Sequence, residues 1–318
     1  MTTPVIAFLT MKGGVGKTTL AANITRALAD QKKRRILLID GDSQCNLSQV
    51  FFDSDVIESS SLRSLYQVFD TRYRLYYPGD LKTCIYPRYS GHCLNGSEID
   101  FVVGSFETFE LNATATAARK SAAAERFKAF INQAKQSYDL VIIDTNPSAT
   151  FVTLQALENA NFLVAPITFD AFSLQGIHLV VHHLKGTYQW LSNPTRLCLV
   201  ANKVPRAPSD SDMRRMEREE EKIRERYPHL ARSIKLERIH ASNIIANRAV
   251  ARGFLADHSG AQGGYLDNVV QDFIAVAQAI DLDLEHAFDT PNRPQPGASA
   301  NIGRGILGRW FGAPAERP

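Results

Sequence analysis

Short unbroken apolar runs recur along this chain, and longer stretches with helical spacing separate them. Val5–Leu9, Arg35–Asp40, Asp100–Val103, Leu140–Asp144, Phe162–Pro166 and Leu197–Ala201 have the length of strands. Their apolar residues are continuous rather than alternating, so each strand is expected to be buried on both faces. Helical patterns fit Thr18–Ala29, Ala117–Gln136, Ser173–Trp190, Asp210–Arg226 and Leu266–Ile280. Doubly buried strands alternating with helices predict an α/β fold, a mainly parallel sheet with helices on both faces. Ligands of such sheets bind beyond the carboxyl ends of the strands.

The pattern lapses over residues 52–98, which are rich in Tyr, Ser and Asp. A variable excursion with a short helix near Leu62–Phe69 is expected there. Three prolines between Asp289 and Ser299 suggest a linker. The expected organisation is one main domain over residues 1–288, a Pro-rich linker over 289–300, and an amphipathic or disordered tail over 301–318.

Length and composition agree with one large domain: 318 residues, 44% of them hydrophobic, bury a core that needs no staples. The net charge of +3 says little about partners, so any affinity for nucleic acid must come from a local patch. None of the four cysteines (Cys45, Cys84, Cys93 and Cys198) forms a C-x-x-C pair. The first apolar run has no basic stretch before it and is too short for a signal peptide or a membrane span. Reduced thiols and a soluble, cytoplasmic protein are expected.

The chemistry begins at Met11-Lys12-Gly13-Gly14-Val15-Gly16-Lys17-Thr18-Thr19. An apolar run precedes it and an amphipathic segment follows, the strand–loop–helix context of a phosphate-binding loop. Backbone N–H groups from Gly13, Gly14, Val15 and Gly16 through Thr19 would close around a polyphosphate, and the helix dipole would add to them. Lys17 would reach the β- and γ-phosphates of ATP, and Thr18 would offer its hydroxyl to Mg²⁺. The loop departs from the ordinary pattern, with Met11 where a glycine is usual and with a second lysine, Lys12.

Three later motifs end strands. Ile36–Gln44 puts Asp40 and Asp42 one residue apart, suited to Mg²⁺ and to an attacking water. Val141–Ser148 ends a buried run in Asp144, a second candidate for Mg²⁺, followed by Thr145-Asn146-Pro147. Leu199–Val204 carries Asn202, whose amide could match the N6 and N7 edge of adenine or could cap a turn.

Lys-Gly-Gly-Val-Gly-Lys-Thr resembles the deviant Walker A loop of the ParA/MinD family of ATPases, and the later motifs follow in the family's order. The resemblance covers roughly residues 4–280. It implies a P-loop ATPase that dimerises on ATP, with Lys12 crossing the interface to the partner's nucleotide. It gives Asp42 the attacking water, Asp40 a supporting place at Mg²⁺ or the switch, Asp144 the Walker B position, and Asn202 adenine. Asn146 stands where proline is common. Slow basal hydrolysis and an activating partner, ParB-like or other, are implied as well. Cluster-binding relatives are set aside because no cysteine lies between Asp144 and Leu197.

Two matrices stay open. A ParA-type protein would bind DNA non-specifically as the ATP dimer and segregate or position DNA or another large cargo, in association with the nucleoid. Between Lys203 and Arg238 eleven Lys or Arg face eight Asp or Glu, so that stretch also reads as a solvated helix. Arg238, Arg248 and Arg252 are the better DNA candidates. A MinD-type protein would cycle on a membrane, and Ile302–Phe311 groups its apolar residues on one half of a helical wheel with Arg304 and Arg309 at the flanks. A nucleotide-gated scaffold with negligible hydrolysis is the non-enzymatic alternative.

Overall fold

The computed structural model describes residues 3–58, 64–74, 85–86, 97–169, 196–226, 237–241, 253–258 and 264–289. Strands β1 (Val5–Phe8), β2 (Arg35–Asp40), β3 (Ile85–Tyr86), β4 (Glu98–Val102), β5 (Leu140–Asp144), β6 (Phe162–Ile167), β7 (Leu197–Val204) and β8 (Glu237–His240) form one sheet. Their order is β3-β4-β2-β5-β1-β6-β7-β8. Every pairing is parallel except that of the short edge strand β3 with β4.

The helices are α1 (Lys17–Lys32), α2 (Ser48–Phe51), α3 (Ser54–Glu58), α4 (Leu65–Phe69), α5 (Glu110–Ala113), α6 (Ala117–Ser137), α7 (Phe151–Asn159), α8 (Asp210–Arg226) and α9 (Gly264–Asp289). Side chains alternate across the sheet because a strand repeats every two residues. Val5, Ala7, Leu37, Ile39, Val141 and Ile143 enter the core under α6 and α7. Ile6, Phe8, Ile36, Leu38, Leu140 and Ile142 enter the opposite core under α1 and α9. The continuous apolar runs are therefore two interleaved faces, each covered, as expected of a doubly wound sheet.

The elements match the expectation closely, with additions. Strands β3 and β8 and helices α2, α3, α5 and α7 were not anticipated. Thr150 opens α7 by accepting the N–H of Thr153 at 3.2 Å. Thr116 caps α6 in the same way through Arg119. Helix α8 is the expected solvated helix, with ion pairs Arg215–Asp212 and Lys222–Glu219 three residues apart. Among the described residues no helix is long and apolar enough to cross a membrane. The helix expected at Ser173–Trp190, Arg248, Arg252, Cys84, Cys93 and the tail Ile302–Phe311 lie outside the described residues.

Candidate functional site

Register assembles the site. Asp40 lies level with Asp144 across β2 and β5, and Phe8 lies level with Asp144 across β1 and β5. The loops after these three strands therefore start at one height, at the carboxyl ends.

The loop after β1 feeds α1 through Gly16, which sits at φ +84°. That left-handed conformation favours glycine. A Cβ there would also fall 2.4 Å from the Asn202 amide nitrogen. Lys17 and Thr18, the first residues of α1, both turn to Asp144. The Lys17 ammonium is ion-paired with Asp144 Oδ1. The Thr18 hydroxyl donates to Oδ2 at 2.8 Å. Asp144 is fully buried, and burial pushes its carboxyl up while Lys17 opposes the shift. The lysine, hydroxyl and carboxylate expected around a Mg²⁺–phosphate group are thus brought together.

The donor set can be tested against Mg²⁺. Thr18 Oγ1 and Asp144 are hard oxygen ligands in mutual contact. Among the described residues no group of three or more His, Cys, Asp or Glu could cage an ion. Mg²⁺ is commonly bound by one or two protein oxygens together with substrate phosphates and water, so Thr18 and Asp144 fit it.

Asp40 is held by the loop that follows it. Its Oδ2 accepts both the N–H and the hydroxyl of Ser48, each at 2.7 Å, and its Oδ1 accepts the N–H of Asp42 at 3.1 Å. Ser48 Oγ in turn accepts the N–H of Gly104 at 2.9 Å. A Cβ on Gly104 would sit 2.9 Å from the Asp40 carboxylate, so glycine is required for this approach. Asp40 is fully buried and pushed up to about 7, first by burial and then by Asp144. Through three hydrogen bonds of its own and Ser48 it ties β2 to α2 and to the end of β4.

Asp42 is 4% exposed, on the loop after β2. Its Oδ1 accepts the N–H of Gln44 at 3.0 Å and the side-chain amide of Asn146 at 2.8 Å.

Asn202 is engaged by its neighbours at the end of β7. Its amide donates to the Val15 carbonyl at 2.7 Å, and its Oδ1 accepts the N–H of Lys203 at 2.9 Å. The side chain braces the phosphate loop from the end of β7 and borders the cavity beside that loop. Lys203, absent from the expected set, braces the same loop by donating to the Gly14 carbonyl at 2.7 Å. Its backbone is left-handed, at φ +60°. The only sequence signal for it was its place directly after Asn202.

Lys12 reaches Thr168, beyond β6, at 3.4 Å. Both border a cavity of about 390 Å³ beside the loop, also lined by Gly14, Lys203, Arg215 and Met216. Lys12, Lys203 and Arg215 line it, Arg215 in its ion pair with Asp212, with no carboxylate among its described lining. Such a mouth attracts anions. Arg238, a candidate for DNA, is ion-paired with Glu220 of α8 at 3.0 Å.

Comparison with known proteins agrees with this architecture. The family model AAA_31, described as an AAA domain, matches residues 3–195. The chromosome partitioning protein ParA of Myxococcus xanthus is 30% identical over 190 residues, 59% of this chain and 60% of that protein. The chain also spans less than two thirds of the length of the Pseudomonas putida and Chlamydia pneumoniae relatives it matches. Apo McdA of Cyanothece superposes with a TM-score of 0.63 at 18% identity, covering 87% of this chain and 99% of that one. pNOB8 ParA bound to nonspecific DNA superposes with a TM-score of 0.62 at 19% identity, covering 89% and 99%.

Proposed function

The chain belongs to the AAA_31 family of AAA domains, and from that premise we propose a cytoplasmic P-loop ATPase of the ParA/MinD type that dimerises on ATP. Its ATP dimer binds DNA non-specifically and thereby segregates or positions DNA or another large cargo at the nucleoid. The observation that carries this reading is the convergence of Lys17 and Thr18 on the buried Asp144. The cationic cavity beside the loop supports it. So does the relative named as a chromosome partitioning protein, together with the pNOB8 structure that holds DNA.

In this reading the loop N–H groups from Gly13 to Thr19 and the Lys17 ammonium hold the triphosphate. Thr18 and Asp144 hold Mg²⁺, which when bound offsets the phosphate charge. For Lys17 to serve phosphate it leaves Asp144, so nucleotide loading rearranges the pair. Asp42 orients the attacking water. Lys12, at the cavity mouth, reaches the nucleotide of a second copy. Basal turnover is slow, and an activating partner, ParB-like or other, accelerates it. The ATPase domain runs over residues 1–288, ahead of a linker over 289–300 and a tail over 301–318.

The test is binding to random-sequence duplex DNA with ATP and with ADP, at low and high salt. Binding that needs ATP and weakens with salt is the expected result. An ATP dimer without DNA affinity would overturn the DNA reading. It would turn attention to a membrane or protein surface contacted through Ile302–Phe311. Nucleotide binding with no phosphate release at all would leave the scaffold reading in its place.

A further inference from the structure

The contact between the loops after β2 and β5 is closer than the chemistry so far requires. Backbone pairing runs one residue past the strand ends, where Gly41 N–H donates to the Asp144 carbonyl at 2.8 Å. Beyond that point side chains take over. Asn146 Nδ2 donates to Asp42 Oδ1 at 2.8 Å. The orientation of Asn146 is set independently, because its Oδ1 accepts the N–H of Ser148 at 2.9 Å and so turns Nδ2 toward Asp42. The carbonyl of Asn146 lies 3.5 Å from the Thr153 hydroxyl, at the start of α7.

Both donors to Asp42, Asn146 Nδ2 and Gln44 N, land on Oδ1. No described residue donates to Oδ2. A carboxylate pinned by one oxygen keeps its other oxygen in a fixed direction, and fixed direction is what a group that aims a water must have. Gln44 lies on the same loop as Asp42 and moves with it. Asn146 lies on the loop that begins at Asp144, which contacts Lys17 and Thr18. It therefore sets Asp42 against the phosphate end of the site.

We propose that Asn146 is a positioning residue for ATP hydrolysis, which holds Asp42 so that its free oxygen faces the attacking water. This rests on the role given to Asp42 above. The bond is made by the side-chain amide donor alone, so alanine removes it. Aspartate removes it while ionised and remakes it when protonated.

The experiment is single-turnover ATP hydrolysis with Mg²⁺ and excess protein, for wild type, Asn146→Ala, Asn146→Asp and Asp42→Ala. Binding of a fluorescent ATP analogue is measured on each. Asn146→Ala is expected to slow hydrolysis by up to about a hundredfold with analogue affinity unchanged, the loss a misplaced group can cause. Asn146→Asp is expected to be slower still above neutral pH. Its rate relative to wild type should rise as pH falls and the new carboxyl becomes a donor. Wild-type hydrolysis in Asn146→Ala, with Asp42→Ala inactive, would overturn the proposal and leave the ATPase reading standing. Loss of analogue binding in step with rate would make the role one of loop folding, and would overturn it as well. No hydrolysis by wild type would remove the ATPase reading, and the proposal with it.

Discussion

Asn202 donates to Val15 and accepts from Lys203, so truncating it loosens the phosphate loop. Asn202→Ala is expected to weaken ATP and GTP alike, by about two- to tenfold, the cost of one buried hydrogen bond. Competition binding with both nucleotides checks this; a loss confined to ATP would return the side chain to adenine. Lys17 holds a different balance. It is the cation beside a fully buried carboxylate, and removing one partner of such a pair costs about 3–5 kcal/mol. Lys17→Ala should therefore destabilise the nucleotide-free protein as well as abolish nucleotide binding. Burial already raises the Asp144 carboxyl, and loss of Lys17 raises it further. An acid raised by folding favours the folded state at low pH and loses that contribution as pH rises through its folded value. Urea denaturation at about pH 5 and about pH 8 should thus show the larger deficit at the higher pH. Lys17, Thr18 and Asp144 were legible in the sequence because loop spacing and strand order suffice to bring them together. The partners of Asp40 and Asn202 were not, because a hydrogen bond at a site such as Val15 depends on how β7 is seated beside the loop.

At the scale of elements, Ser48 joins three of them, with α2 carrying it, β2 supplying Asp40 and the end of β4 supplying Gly104. Ser48→Ala leaves the Gly104 N–H and one Asp40 oxygen short of a partner, at a cost of about 1–3 kcal/mol. The cost should depend on pH. Asp40 titrates near 7 in the fold against 3.8 ordinarily, so its contribution is full below about pH 4 and declines toward pH 7. The Ser48 hydroxyl hydrogen bond lowers that value, so its loss extends the decline to higher pH. Denaturant titrations of wild type and Ser48→Ala across this range should diverge as pH rises; parallel curves would disconnect Ser48 from the Asp40 charge. The long buried strands were readable because two covered faces make an uninterrupted apolar run. Strand β8 was not, since Glu237, Arg238 and His240 make most of it polar. Helix α7 was missed because its nine residues follow directly on the loop after Asp144, whose proline reads as a break.

Across the whole molecule, a ligand that binds only the folded chain stabilises it by mass action. ATP with Mg²⁺ at about one hundred times its dissociation constant should add roughly 2.7 kcal/mol to the unfolding free energy. A thermal shift that is present in wild type and absent in Lys17→Ala would tie that gain to the loop. Helix α9 packs on α1, and Arg34, two residues past the end of α1, pairs with Asp281 of α9 at 2.6 Å, so residues about 250 positions apart share one core. The doubly wound class was legible in the sequence; this closure was not, because hydrophobic periodicity marks a face without naming what covers it. The strand order has a consequence for biosynthesis. Strand β1 lies at the centre of the sheet but is the first to be made, and its neighbours β5 and β6 begin only at Leu140 and Phe162. At roughly 5–20 residues per second the emerging chain carries Val5–Phe8 unpaired for about 7 to 30 seconds. During that interval the strand that becomes the most protected is a sticky segment on the ribosome, and shielding by a chaperone would matter most then.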